Sequence, residues 1–367
     1  MEAGIMKDYK VMAMNLGSTS TKLAYYINDV CQMKTNLAHS SDELAKSKDI
    51  WDQYEMRRDA IVKFMEENGI VLDEIDAIST RGGHCEPLEG GTYRINDAYR
   101  AQNRSGKYGI HPCNLGVEIA NELAQKSDHA IAVTTDMPTT DELEPIARFT
   151  GLKELSRKAS FQTLNHRAMA NYYAEQNGKK YEELDLVVVM LGGGISVAAH
   201  HNGRIIDGPD ALTGDGPFSN NRCCTVPTGQ LVDLCYSGKF THAEMKRHIN
   251  GEAGLSAYLG TTDVRDIQKR IAEGDTYAEQ VLEAMCYQTA KDIGAYATVL
   301  KGHVDAILLI GGMANSEWIC EHIKERVEFI APVVVMPGER EMESLCLNAY
   351  KAVSGQITLK EFDLKAE

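Results

Sequence analysis

The stretch NLGSTSTK, Asn15 to Lys22, sets a glycine, four hydroxyl side chains and a lysine at the end of the apolar run YKVMAMN. Such a turn can hold phosphate. Gly17 lets the backbone approach closely, successive N–H groups form an anion-binding nest, the hydroxyls of Ser18 and Ser20 add neutral donors, and Lys22 adds a point charge. It is not a P-loop, because G-x-x-x-x-G-K-[ST] is absent and a strand-like segment follows where that motif needs a helix. Alone, a Ser/Thr-rich hairpin is more often only a turn. Two further glycine turns strengthen the phosphate reading: Gly192-Gly193-Gly194 after the β-branched run LDLVVVML, and Gly311-Gly312 after VDAILLI. The second could hold a polyphosphate as the first does. The third would give a flat base room to lie against backbone.

Charged residues stand at comparable places. Arg81 adjoins Gly82-Gly83 at the end of DAIST, and Arg222 follows the loop GDGPFSNN. A guanidinium's planar fork suits carboxylate or phosphate, although surface arginines are usually just solvated. Asp136 closes the strand-like AIAVTT, and a carboxylate at the carboxyl end of a strand faces the ligand crevice of an open α/β sheet.

The elements that must position these residues alternate between strands and helices. YKVMAMN, a turn and TKLAYYIN read as a hairpin. LDLVVVMLGGGISVAAHHNGRIIDG reads as three strands, the last two joined by Asn202-Gly203, a strong hairpin signal because both residues tolerate φ > 0. Helical patterns cover 51–68, ending at Asn68-Gly69, and 276–301, closing at Gly302; Asn114 could cap LGVEIANELAQK. A strand–glycine turn–strand unit in each half implies two related α/β domains facing one cleft. The 367 residues, 43% hydrophobic, suffice for two such domains.

The formal net charge is −15 with no Lys/Arg block, which excludes a basic nucleic-acid footprint and disfavours an anionic membrane surface. The opening MEAGIMKDYK has no apolar h-region, and the longest apolar runs fall far short of a bilayer span. Nine cysteines without a C-x-x-C pair imply a reducing cytoplasm rather than a disulfide framework or structural zinc. The adjacent Cys223 and Cys224 read as two ordinary thiols.

NLGSTSTK, RGGHCEPLEGGTYRIND, NLGVEIANELA, DELEPIARFTGL, GGGISVAAHHNGRIIDGPDALTGDGPF, LVDLCYSGKFT, EAGLSAYLGTTDVRDI and FIAPVVVMPGEREMESL occur in this order over nearly the whole chain. Together they resemble the butyrate kinases, short-chain carboxylate kinases related to acetate kinase. The resemblance implies α/β architecture with two duplicated ribonuclease H-like domains of the actin, sugar-kinase and heat-shock ATPase superfamily around a central cleft. The first domain would span 1–150, with a C-terminal helix 341–367 packing back on it; the second, nucleotide-binding domain would span 151–340. ATP/ADP and Mg²⁺ are the implied cofactors, butyrate or a related short- or branched-chain carboxylate the substrate, and a cytoplasmic homodimer or higher homo-oligomer the assembly.

By the same resemblance Arg81 clamps the substrate and Arg222 stands beside the transferring phosphoryl group. Asp136 orients Mg²⁺ or its waters, with Glu341 as second carboxylate, Glu339 and Glu343 being close alternatives. Asn15 and Lys22 face the polyphosphate with the glycine turns. His111 and Asn114 also match. Two departures stand out. FQTLNHR replaces the usual Phe-His-Ala-Leu-Asn-Gln-Lys, so the histidine expected at the phosphoryl group is Gln162, a neutral donor. His166, one helical turn on, is displaced by about 5 Å along the axis. Cys223-Cys224 replaces Ser-Gly after Arg222. Two other readings therefore stay open: a kinase of the same fold acting on another small acid, and a nucleotide-binding paralogue with weak or no kinase activity.

Overall fold

The computed structural model describes residues 7–211 and 214–363. The chain divides into two compact units, 1–140 with 340–367, and 141–339.

The first unit is built on a sheet of six strands: β1 (Lys10–Leu16), β2 (Ser20–Ile27), β3 (Val30–Ala38), β4 (Ala77–Thr80), β5 (Thr92–Arg94) and β6 (Ile131–Thr135). Their order is β3-β2-β1-β4-β6-β5. The first three form an antiparallel meander, β1, β4 and β6 run parallel, and β5 closes the edge antiparallel to β6. Helices Cys113–Gln125 and Glu341–Val353 pack on this sheet. Met12, Met14, Leu16, Leu23, Ile78, Leu115 and Ile119 are among the side chains of its core.

The second unit carries β7 (Leu186–Leu191), β8 (Ile195–His201), β9 (Arg204–Asp207), β10 (Ala306–Gly311) and β11 (Val333–Pro337), in the order β11-β10-β7-β8-β9. β7 and β10 are apolar throughout because the sheet is covered on both faces. With side chains alternating along a strand, Val187, Val189, Leu191, Ile307 and Leu309 join one core beside the helix Thr276–Val299. Leu186, Val188, Met190, Leu308 and Ile310 join another beside Met169, Ala170 and Ala174 of the helix Thr163–Gln176. The two sheets match: β9-β8-β7-β10-β11 repeats β3-β2-β1-β4-β6, with antiparallel and parallel pairs at the same places. The expected duplication is present.

The Asn202-Gly203 hairpin is as expected, both residues having positive φ, 49° and 72°. Three details differ from the sequence reading. Asn114 is not a cap, since the helix begins at Cys113 after Pro112. Its side-chain oxygen instead accepts from the His111 N–H while its amide donates to the carbonyl of Asn103. The segment 51–68 opens as a 3₁₀ turn, Ile50–Gln53, before the α-helix Tyr54–Glu67. The C-terminal helix stops at Val353, and Lys360 then pairs with β5 through Lys360 N–H to Thr92 O and Arg94 N–H to Lys360 O, each 2.9 Å.

Candidate active site

In the first unit the parallel strands bring the predicted residues to one end of the sheet. Met14 pairs with Thr80 and Thr80 with Thr134. Asn15, Arg81 and Asp136 therefore lie at or just past the carboxyl ends of β1, β4 and β6, where open α/β sheets bind ligands. Lys22 faces Asn15 across the antiparallel pair. The helix Glu341–Val353 adds its first residue: buried Glu341 accepts from Asn15 Nδ2 at 2.7 Å. Glu343 is held instead by Arg340. Asp136 is buried with φ +43°, a backbone conformation few non-glycine residues adopt, and its Oδ1 accepts from Gly91 N–H at 2.8 Å. Beside Arg81, Gly82 has φ +78°, and a Cβ there would come within 2.2 Å of Thr134 Oγ1. Only glycine lets the arginine's strand end approach β6 so closely.

The hairpin turn Gly17–Ser20 is shaped from behind. Gly17 N–H donates to Ser20 O at 2.8 Å, and His39 N–H to Thr19 O at 2.9 Å. Arg57, fully buried on the helix Tyr54–Glu67, donates to the carbonyls of Ser18 and Ser20 and to Thr21 Oγ1. In a trans peptide the N–H points opposite to the C=O. Drawing the Ser18 carbonyl inward thus turns the Thr19 N–H outward, as an anion nest requires. The sequence reading missed Arg57. The signal was present: Arg57, Ile61, Phe64 and Met65, the buried residues of this helix, follow the i, i+4, i+7, i+8 spacing of a core-facing stripe.

His84 and His111 stand near Arg81. Burial, then the Arg81 charge, lowers His111 to about 4. Burial is also the main cause lowering His84. Both are neutral near pH 7.

In the second unit Gly192 N–H closes the turn onto Gly194 O at 3.2 Å, and Ser219 Oγ donates to Gly193 O at 3.0 Å. Arg222 lies against this turn, so that a Cβ on Gly194 would stand 2.4 Å from its Nη1, which itself donates to Ala211 O at 3.2 Å. Burial lowers the Arg222 pKa below its ordinary value, leaving it cationic. Cys224 has φ +48°, which explains why the resembled pattern places glycine there. The thiol is buried and pushed up to about 12, chiefly by burial.

Gly311, at φ +90°, packs so tightly that a Cβ would lie 2.5 Å from Leu191 O. On the side where a Cβ would stand it is packed against backbone. Gly312 lines a cavity of about 660 Å³ with Asn220, Thr262, the ion pair Asp263–Arg265, Gln268 and Ser316, a size within the range of small-ligand sites. Gln162 precedes the helix Thr163–Gln176 and accepts from Ser196 Oγ at 3.0 Å. His166 is fully buried and held by burial down to about 3, so it cannot supply the missing imidazolium.

One electrostatic feature unites Arg57, Arg81 and Arg222. The chain has 53 Asp and Glu against 38 Lys and Arg, and Arg100, Arg104, Arg148 and Arg157 all pair with carboxylates. Among the described residues no carboxylate pairs with any of these three. Partly or wholly buried cations without counter-ions are costly to keep, a cost that a bound anion would offset.

Repeated sheets of this order, each with a glycine turn after its first strand, have the duplicated α/β architecture of the actin, sugar-kinase and heat-shock ATPase superfamily. A crystal structure of acetate kinase from Porphyromonas gingivalis shares the fold, with a TM-score of 0.74 and 19% identity, covering 92% of this chain and 98% of that one. The acetokinase family model matches residues 115–337. A probable butyrate kinase of Bacteroides thetaiotaomicron is 46% identical over 351 residues, 96% of this chain and 99% of the relative. Butyrate kinase 2 of Clostridium acetobutylicum is 42% identical over 354 residues, again 96% and 99%. The chain belongs to the acetokinase family.

Proposed function

We propose that the protein phosphorylates a short- or branched-chain fatty acid at the expense of ATP, butyrate + ATP giving butyryl phosphate + ADP. The relatives' names supply the substrate class. The observation that carries the reading is the set of arginines without carboxylate partners in so acidic a chain. A carboxylate acceptor is already ionised, so no general base is needed. Its oxygen attacks the γ-phosphorus in line as the bond to the bridging oxygen of ADP breaks, and the obstacle is repulsion between anions. Arg81 would neutralise the acceptor carboxylate and Arg222 the transferring group. The Gly17–Ser20 turn, with Asn15 and Lys22, would bind phosphate in the first unit and the Gly192–Gly194 turn in the second, where the base would occupy the cavity lined by Gly312.

Asp136 and Glu341 fit Mg²⁺, which takes hard oxygen ligands and needs only one or two carboxylates beside water and phosphate; both are buried at one end of the sheet. The ion would screen the β- and γ-phosphate charge. The family resemblance and the nine free cysteines support a cytoplasmic homo-oligomer, and no helix among the described residues is long and apolar enough to cross a membrane.

Trapping the acyl phosphate with hydroxylamine tests the reading. With ATP and a panel of C2 to C6 acids, hydroxamate should form best from the four-carbon and branched acids. A preference for another acid would move the substrate assignment, and no product from any acid would overturn the kinase reading.

A further inference from the structure

Behind Gln162 a series of polar side chains runs into the interior of the second unit. Tyr181 Oη lies 2.8 Å from His200 Nδ1, and His200 Nε2 lies 3.3 Å from His166 Nδ1. His166 Nε2 lies 2.9 Å from Ser196 Oγ, which donates to Gln162 Oε1 at 3.0 Å. Ser196, His166 and His200 are fully buried and Tyr181 nearly so; only Gln162 is partly exposed. Burial holds His166 near 3 and His200 well below its ordinary value, so both rings are neutral.

A neutral imidazole carries one N–H, so each ring donates at one nitrogen and accepts at the other. Only two arrangements satisfy every link. In one, Tyr181 donates to His200, His200 to His166, His166 to Ser196 and Ser196 to Gln162, whose NH₂ is left outside the series. In the other every bond reverses, the amide of Gln162 turns round, and its carbonyl oxygen is presented. Donor strength selects the first: at the 2.8 Å Tyr181–His200 contact a phenol is the better donor and an imidazole nitrogen the better acceptor. On the kinase reading the same direction suits the ligand, since a carbonyl oxygen facing phosphoryl oxygens would be repelled, whereas an NH₂ group is attracted. Among the described residues nothing accepts from Gln162 Nε2.

We propose that Tyr181, His200, His166 and Ser196 are positioning residues. They form a one-way hydrogen-bond chain that holds the Gln162 carboxamide oxygen inward and its NH₂ outward, as a neutral donor to the transferring phosphoryl group. The role of the NH₂ rests on the kinase reading; the direction of the chain does not. The chain also explains why His166 cannot stand in for a histidine at position 162, since both its nitrogens are engaged in the interior.

Long-range ¹⁵N–¹H correlation spectra of the histidine-labelled full-length protein near pH 7 read the direction. His166 and His200 should both be Nε2–H tautomers, with resonances assigned from the shifts that Ser196→Ala and Tyr181→Phe induce. An Nδ1–H tautomer at either ring overturns the proposal. In acyl hydroxamate assays Ser196→Ala should lower kcat by about 3- to 10-fold, the scale of one neutral hydrogen bond, with the KM for ATP unchanged and Ser196→Thr restoring most of the rate. A lowered melting temperature with unchanged kcat would reduce Ser196 to a packing role and overturn the positioning claim. Absence of hydroxamate from the unmodified protein would instead sink the kinase reading, leaving the tautomers to judge the chain by themselves.

Discussion

Arg222 occupies a half-buried place where its charge is only partly solvated and is not paired with a carboxylate, and Gly194 is the residue that makes room for it. Arg222→Ala should therefore lower kcat by at least ~100-fold, the effect of removing one preorganised electrostatic donor, while nucleotide affinity changes little. Isothermal titration beside steady-state kinetics separates the two, and normal turnover would remove Arg222 from the site. Two positions on, Cys224 holds a left-handed conformation that costs a non-glycine residue about 1–2 kcal/mol. Cys224→Gly relieves that strain while Cys224→Ala keeps it, and both lose the buried thiol. After the glycine's extra freedom in the unfolded chain, the Gly variant should be the more stable by about 1 kcal/mol, read as a higher urea midpoint, and a midpoint below that of Cys224→Ala would contradict the strain. At this scale the sequence disclosed residues marked by local grammar, such as Asp136 closing a strand or Arg222 in a glycine-rich loop. It hid those whose meaning comes from burial. Arg57 looks like a surface arginine beside Arg58, and Ser196 like one small residue of a strand. Only the fold shows each facing inward with polar partners.

Elements succeed or fail as predictions for a related reason. The hairpins at Gly17 and Asn202-Gly203 and the helix Thr276–Val299 carry their own signals, turn residues and a long apolar period, and all were legible. β3 was not, because as an edge strand it is largely exposed and so lacks an apolar face. The resemblance carries the C-terminal helix to 367, of which 364–367 lie outside the described residues, but the chain leaves the helix at Val353 and pairs with β5, a partner more than 260 residues distant in sequence that no local window contains. The helix Tyr54–Glu67 tests whether an element shapes the phosphate turn. Arg57→Met keeps the side-chain bulk but removes the donors to Ser18, Ser20 and Thr21. Hydrogen bonds from a charged group contribute about 1.5–3 kcal/mol, so nucleotide affinity should fall about 10-fold or more, with Arg57→Lys intermediate. Unchanged nucleotide binding in a folded Arg57→Met protein would make the helix a bystander.

For the molecule as a whole, the buried histidines predict an acid limb of stability. His111 at about 4 and His166 at about 3 lie below the ordinary value of 6.5, and His84 and His200 are lowered too. Below pH 6.5 the unfolded chain takes up protons that the folded protein refuses. The stabilising contribution is complete above that pH and is lost as pH falls toward 4, by up to roughly 1.4 kcal/mol per pH unit for each histidine. Urea midpoints measured from pH 7.5 to 4.5 should decline, and His166→Asn should flatten the decline. A level profile would mean that these rings are protonated in the folded state.

The discontinuity of the first unit has a consequence for biosynthesis. Its opening strands leave the ribosome first, yet Glu341, the helix it begins and the Lys360 pairing with β5 are translated last, after the whole of 141–339. The later-made unit is contiguous and can complete its sheet while the earlier one still waits for its final helix. Residues 141–339 expressed alone should unfold cooperatively in urea. Nascent chains stalled before residue 340 should leave 1–140 open to protease and 141–339 resistant, so the amino-terminal part of the protein matures last.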